Sequence, residues 1–202
     1  MSNRPAVFLD RDGTLTEPRH YPSRPEHLVL QGGIGPPLRI LQEAGYALVV
    51  ATNQSGIARG LFTLADLDAM HRRLRSMLVD VGVRIDGIYA CPHHPEGTVP
   101  PHTIACHCRK PEPGLLHQAA RELHLDLTRS WMLGDSPCDT EAGNRAGCRT
   151  IFVGPGAPAN IGEMNAPTTA QALRALWRTL QRGPGYAGCA TPPPPSPPSS
   201  GC

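Results

Sequence analysis

Apolar residues recur along the chain in two alternating rhythms. Short continuous runs at Ala6–Leu9, Tyr46–Ala51, Val83–Ala90, Ser130–Leu133 and Thr150–Val153 have the length of buried strands. Between them lie segments with apolar positions at helical spacing. Pro36–Ala44 opens on proline and stops at Gly45, a helix start and stop. Thr63 is placed to N-cap a long helix, with Leu67, Leu74, Leu78 and Val81 on one face and Gly82 at its end. Pro113–Leu123 predicts a helix with Leu115, Leu116, Ala119 and Leu123 facing inward. Thr140–Ala146 predicts a short helix, and Thr168–Gln181 a last amphipathic one. Strands separated by helices pair in parallel through right-handed crossovers. The expected fold class is α/β, a three-layer doubly wound parallel sheet. Ligands of such sheets sit beyond the carboxyl ends of the strands, so the residues just after each strand are the ones to read for chemistry.

The 202 residues leave room for one such domain and an extension. From Gly183 the sequence GPGYAGCATPPPPSPPSSGC has no apolar period, and its prolines favour extended polyproline II. Residues 1–182 are therefore expected to fold, and 183–202 to form a disordered Pro-rich tail. Aromatics at 4% supply few stacking platforms for single-stranded nucleic acid, and a formal charge of +2 does not call for a polyanion. No run reaches the ~18 apolar residues of a membrane span, and MSNRPAVFLD lacks the apolar centre of a signal peptide. The expectation is a cytoplasmic monomer acting on a small molecule, with neither nucleic acid nor membrane as partner.

Four strand ends carry polar groups. Phe8-Leu9-Asp10-Arg11-Asp12-Gly13-Thr14 sets two carboxylates two residues apart. One can serve as a nucleophile if a cation holds it ionised, and the second can protonate a leaving oxygen and then deprotonate water. The plain alternative is a polar turn with Asx hydrogen bonds. Thr52-Asn53-Gln54-Ser55-Gly56 offers a hydroxyl and successive amides to phosphoryl oxygens, though these residues also suit ordinary turns. Lys110, in Cys108-Arg109-Lys110-Pro111, precedes a helix and is either a counter-charge or a solvated lysine. Asp135, after Gly134, could complete an oxygen-rich magnesium site with Asp10 and the backbone carbonyl of Asp12, or it or Asp139 could simply cap a helix.

A different cluster lies between residues 91 and 108. Cys91-Pro92-His93 and Cys106-His107-Cys108 flank a twelve-residue spacer. Three thiolates and one imidazole make a closed zinc site of the structural kind. Its other reading is buried or redox-active thiols. His94, His102 and His107 compete for the fourth position, and His93 is preferred because its spacing mirrors the second arm. Zinc thiolates fit a reducing compartment. Cys138, Cys148, Cys189 and Cys202 show no such arrangement.

The order Asp pair, Thr, Lys, Asp, each after a strand, resembles the haloacid dehalogenase superfamily. The resemblance implies a Rossmann-type fold, with Asp10 as nucleophile and Asp12 as general acid and base. Thr52 and Lys110 would hold the phosphoryl group, and Mg2+ would lie on Asp10, Asp12 and Asp135. FLDRDGT, TNQSGIARG, CPHHPEG, CHCRKP and the GD-x-x-x-D segment together are similar to the D-glycero-D-manno-heptose 1,7-bisphosphate phosphatase family. That family implies removal of the C7 phosphate on the way to nucleotide-activated heptose, a minimal cap, and a zinc-binding loop insert on Cys91, His93, Cys106 and Cys108. Arg109 would help recognise the sugar bisphosphate, with Tyr21, Asn53, Gln54 and Ser55 on substrate loops. Pro18, Arg19 and His20 depart from the family pattern, and Ser136 stands where the family often has Lys. Histidinol-phosphate phosphatase is the nearest rival, and the HHPEG start with its long spacer favours the heptose family. A polynucleotide 3′-phosphatase lacks support from any basic stripe. A zinc-loop binding module on an inactive fold is disfavoured by the presence of both Asp10 and Asp12.

Overall fold

The computed structural model describes residues 3–155 and 161–182. Six parallel strands, β1 (Ala6–Leu9), β2 (Ala47–Asn53), β3 (Gly87–Cys91), β4 (Trp131–Gly134), β5 (Arg149–Val153) and β6 (Met164–Ala166), form one sheet in the order β3-β2-β1-β4-β5-β6. Five α-helices connect or follow them: α1 (Gly35–Glu43), α2 (Leu64–Asp80), α3 (Gly114–Leu123), α4 (Pro137–Arg145) and α5 (Thr169–Arg182).

Side chains alternate across the central strand and bury both faces. Val7 and Leu9 of β1 join Leu48 and Val50 of β2 in a core with Leu38 and Leu41 of α1, Met70, Leu74 and Leu78 of α2, and Leu173 and Leu176 of α5. Ala6 and Phe8 point the other way, into a core with Val49, Met132 and Leu115, Leu116 and Ala119 of α3. The three layers expected from the sequence are these two cores with the sheet between them.

Register decides where the chemistry falls. Leu9 lies opposite Val50 on one side and Leu133 on the other, and the amide of Asp10 donates to Leu133 O at 2.9 Å. The ends of β1, β2 and β4 are therefore level. Connections leave β1 toward β2 and β3 on one side, and β4 lies on the other. The strand order thus switches between β1 and β4, where such sheets open a crevice.

Several sequence expectations are corrected. The Val83–Ala90 strand is only Gly87–Cys91. Val83 and Ile85 are apolar because they pack into the core from a loop, and the Asp86 carboxylate accepts from Leu48 N at 2.8 Å in place of a ladder partner. Val81 is not on the buried face of α2; it is 40% exposed at the helix end, next to Gly82 at φ +78°. Leu123 is only partly buried. β2 runs through Asn53, so Thr52 lies within the strand and not after it. α4 begins at Pro137, because proline fits the first turn, where an amide has no helical partner. The three residues of β6 are too short a pattern to be read. No helix among the described residues is long and apolar enough to cross a membrane. The expected tail, 183–202, lies outside the described residues, as do Cys189 and Cys202.

α2 starts on a reciprocal cap. Thr63 Oγ1 accepts from Asp66 N at 3.2 Å, and Thr63 N donates to Asp66 Oδ2 at 2.8 Å. The Thr63 hydroxyl also donates to Asp66 Oδ2 at 2.7 Å, and this bond and then the Thr63 amide hold the Asp66 carboxyl below its usual range. Thr63→Ala should cost about 1 kcal/mol of stability, read as a lower denaturation midpoint with activity unchanged.

Candidate active site and metal centre

Asp10 leaves the end of β1 into the crevice, and Lys110 reaches it from the loop before α3. Lys110 Nζ lies 2.6 Å from Asp10 Oδ1 and 2.5 Å from Asp139 Oδ1, and donates to Ala51 O at 2.7 Å. The ammonium is buried. Burial opposes its charge, but Asp10 and Asp139 outweigh burial and raise its pKa, so Lys110 is a fixed cation. Its backbone is clamped as well: Lys110 N donates to Asn53 Oδ1 and Asn53 Nδ2 donates to Lys110 O, both at 3.0 Å.

Across the crevice stands Asp135, just after β4. Its Oδ1 accepts from Thr14 Oγ1 at 3.3 Å. Gly13 has φ +82°, and a Cβ there would lie 2.0 Å from Asp135 Oδ2. Only glycine permits both that turn and that approach. A Cβ on Gly134 would come within 2.2 Å of the Asp139 side chain. Asp10, Asp135 and Asp139 bring carboxylate oxygens within 4.8 Å of one another. Burial is the main cause that pushes Asp10 up to about 6, against Lys110; burial followed by the Asp10 charge pushes Asp135 up to about 6.

This donor set fits a hard divalent cation. It is all oxygen, and three carboxylates against one ammonium leave two negative charges. Asp139 is already committed, since its Oδ1 meets Lys110 and its Oδ2 accepts from Ser136 N at 3.0 Å. Asp10 and Asp135 are the two free to ligate. The Asp12 carboxylate is not part of the group, so of the three expected magnesium ligands Asp12 has only its backbone carbonyl to offer.

The Asp12 carboxylate instead faces a polar network. Arg11 Nε donates to Asp12 Oδ1 at 3.0 Å and Arg11 Nη2 to Asp12 Oδ2 at 2.8 Å. Gln54 Nε2 donates to Asp12 Oδ2 at 2.9 Å and to Thr52 Oγ1 at 3.0 Å, while Gln54 Oε1 accepts from Arg11 Nη2 at 2.8 Å. Thr52 is thereby tied to the Asp12 side of the crevice, and is almost fully buried.

A cleft of about 210 Å³ opens beside Asp12, lined by Asn53, Gln54 and Ser55 and, opposite them, by Arg19, His20 and Tyr21. Tyr21 sits at φ +45°, its ring edge-on to His20. The expected substrate residues thus divide. Tyr21 and Ser55 face the cleft. Asn53 and Gln54 border it, but their amides are occupied in holding Lys110 and Asp12. Arg109 is not among the lining residues. It lies near His94, whose pKa is lowered by partial burial and by the Arg109 and Arg59 charges.

The four expected zinc ligands meet. Cys108 Sγ is 3.1 Å from Cys91 Sγ, 3.3 Å from Cys106 Sγ and 3.3 Å from His93 Nδ1; Cys91 Sγ is 3.5 Å from Cys106 Sγ and 3.7 Å from His93 Nδ1. A tetrahedron around zinc with ~2.3 Å Zn–S bonds has edges of about 3.8 Å, so these atoms need only a small expansion to take the ion. The thiols are free. Unaided, they cannot all ionise: the Cys91–Cys108 hydrogen bond holds Cys108 down to about 5 and pushes Cys91 up. Among the competitors, His94 Nε2 lies 3.2 Å from Arg59 Nη2, His102 stacks on His93, and His107 is exposed. The second arm runs straight into Lys110. Its turn is pinned to α3 by Gly114 N donating to His107 O at 3.0 Å.

Two residues escaped the sequence reading. Asp139 was visible only as a helix cap, and its position one turn after Asp135 was the available signal. Arg11 carried no signal, because its role depends on where Asp12 and Gln54 meet.

Comparison with known proteins agrees with this fold. A family profile described as HAD-hydrolase-like matches residues 107–175. A D-glycero-beta-D-manno-heptose-1,7-bisphosphate 7-phosphatase of Yersinia pestis is 41% identical over 179 residues, covering 88% of this chain and 95% of the relative. One from Rhodopseudomonas palustris is 45% identical over 144 residues, covering 71% and 80%. The crystal structure of D,D-heptose 1,7-bisphosphate phosphatase from B. bronchiseptica, complexed with magnesium and phosphate, superposes with a TM-score of 0.74 at 31% identity, covering 87% of this chain and 99% of that one.

Raised carboxyl pKa values mean that metal-free Asp10 and Asp135 keep their protons up to about pH 6, and a cation must expel them. Mg2+ affinity, followed by calorimetry, should be level above about pH 7 and fall roughly tenfold or more per pH unit below 6. A flat profile would remove these two as ligands. The purified protein should carry one zinc per chain by atomic emission. Cys106→Ser should release it and render residues 92–107 protease-sensitive, since that loop has little apolar burial of its own.

Proposed function

Because this chain belongs to the D-glycero-beta-D-manno-heptose-1,7-bisphosphate 7-phosphatase family, we propose that it removes the C7 phosphate of that sugar bisphosphate through a phosphoaspartate on Asp10. The observation that carries the reading is the meeting of Asp10, Lys110 and Asp135 at the strand-order switch.

Asp10 is the nucleophile: of the two carboxylates that Lys110 contacts, Asp139 has both oxygens committed, to Lys110 and to Ser136 N, whereas Asp10 meets Lys110 through Oδ1 alone. Asp12 is the acid and base. Attack of an Asp10 oxygen on phosphorus breaks the ester P–O bond, and Asp12 gives its proton to the departing sugar oxygen. Water then attacks the phosphoaspartate, Asp12 takes back a proton, and the P–O bond to Asp10 breaks to release inorganic phosphate. Lys110 and Thr52 hold the phosphoryl oxygens, and a preorganised cation there stabilises charge as it spreads in the transition state. Mg2+, held by Asp10, Asp135 and the Asp12 carbonyl, would supply further charge neutralisation. Zinc on Cys91, His93, Cys106 and Cys108 would be structural and hold the turn that presents Arg109 and Lys110. The cleft by Tyr21 and Ser55 is where the sugar would lie, with Arg109 reaching the distal phosphate. Thiolate ligands support a reducing, cytoplasmic setting, and a free sugar bisphosphate fits a chain of this size acting as a monomer.

The test is phosphate release with Mg2+. Asp10→Asn should lose on the order of 10⁴-fold or more in kcat, and equal rates would remove the covalent mechanism. In a side-by-side comparison, kcat/KM for the β-heptose bisphosphate should exceed that for histidinol phosphate by well over tenfold. A preference under tenfold, about 1.4 kcal/mol, would overturn the substrate assignment while leaving the phosphatase chemistry standing.

A further inference from the structure

Arg11 has no exposed surface. Burying a guanidinium costs several kcal/mol unless partners offset it, and an apolar side chain would fill the same space without that cost. Its one carboxylate partner among the described residues is Asp12, which it grips through both oxygens. The grip is closed by Gln54, whose amide bridges Arg11 Nη2 and Asp12 Oδ2 and is tied in turn to Thr52 Oγ1. The third guanidinium nitrogen, Nη1, is buried without a hydrogen-bond partner. Nearby His71 is held neutral, since burial and then the Arg11 charge push its pKa down to about 4, so it is no second cation competing with Arg11 for Asp12. Arg11 is therefore committed to Asp12. Asp12 lies beyond the end of β1, and apart from one long contact from Thr16 Oγ1 to its Oδ1 at 3.5 Å its carboxylate is held by Arg11 and Gln54, so their grip sets where that carboxyl points. A planar fork constrains both the distance and the plane of a carboxylate, which an ammonium does not.

We propose that Arg11 and Gln54 form a clamp that positions Asp12 for proton transfer to the leaving oxygen, and so set how well this protein cleaves esters of poorly leaving alcohols. They are positioning residues, since neither needs to touch the reacting atoms. The inference rests on the reading of Asp12 as acid and base, and the experiment separates the two.

The discriminating quantity is kcat/KM, which reports events up to departure of the alcohol and excludes the later attack of water. It is measured on two substrates, the sugar bisphosphate and p-nitrophenyl phosphate, whose nitrophenolate leaves without being protonated. Positioned proton transfer contributes about 10²–10⁴-fold. Arg11→Met should therefore lose roughly a hundredfold on the sugar ester and only a few-fold on the aryl ester, and Arg11→Lys should recover part of the loss. Gln54→Leu should show the same split more weakly, and it decides the matter if Arg11→Met does not fold. Asp12→Asn is the reference and should show the largest split. If Asp12→Asn splits the substrates while the Arg11 and Gln54 variants lose equally on both, or lose nothing, the clamp is refuted and Asp12 keeps its role. If Asp12→Asn itself shows no split, the acid assignment fails and the clamp with it.

Discussion

A buried ammonium is the constraint that the rest of this site obeys. Lys110 Nζ has left water, at a cost of several kcal/mol for an unpaired charge. It is stable only where Asp10, Asp139 and the Ala51 carbonyl surround it. Those groups come from the end of β1, the first turn of α4 and the middle of β2. The sheet must therefore hold β1, β2 and β4 level, and Gly13 and Gly134 must let the neighbouring chain approach closely enough. Packing these carboxylates around one lysine leaves a net negative charge at the crevice, and that excess makes the place suitable for a divalent cation.

Two aspartates two residues apart end in different surroundings. Asp10 is buried against an ammonium and faces Asp135. Asp12, past the strand end, faces a guanidinium and an amide. The roles proposed for the two, nucleophile and proton carrier, call for different surroundings, and a divalent cation would keep Asp10 charged against the burial that raises its pKa. The turn at Gly13 then carries the chain away, so the two environments remain distinct.

The Cys/His loop solves a different problem. Residues 92–107 contribute almost nothing to the apolar cores, yet they lead into the turn that must present Lys110 to within hydrogen-bonding distance. Four candidate ligand atoms, all within 4.8 Å of one another, would give that segment a rigid point on binding a metal where packing cannot. Asn53 fixes the same turn from the other side, by gripping the Lys110 backbone. The end of β2 holds the position of the cation, and a metal on the Cys/His cluster would hold it from the other side.

The sequence by itself determined the alternation of strands and helices, the α/β class and the strand ends that carry chemistry, because apolar periodicity and helix caps are local signals. The spacings of Asp10 with Asp12, and of Cys91 and His93 with Cys106 and Cys108, are legible for the same reason. Local pattern misjudged Val83–Ala90 as strand, because burial from a loop and burial from a sheet both demand apolar residues. What only the tertiary structure decided are partnerships between distant elements. Asp139 turned from a helix cap into the second carboxylate on Lys110. Asn53 and Gln54, which line the cleft, also commit their amides to Lys110 and Asp12, and Arg11 gained its partner in Gln54. Each of these depends on register across the sheet and on charges forced together by burial, and neither is encoded in the spacing of residues along the chain.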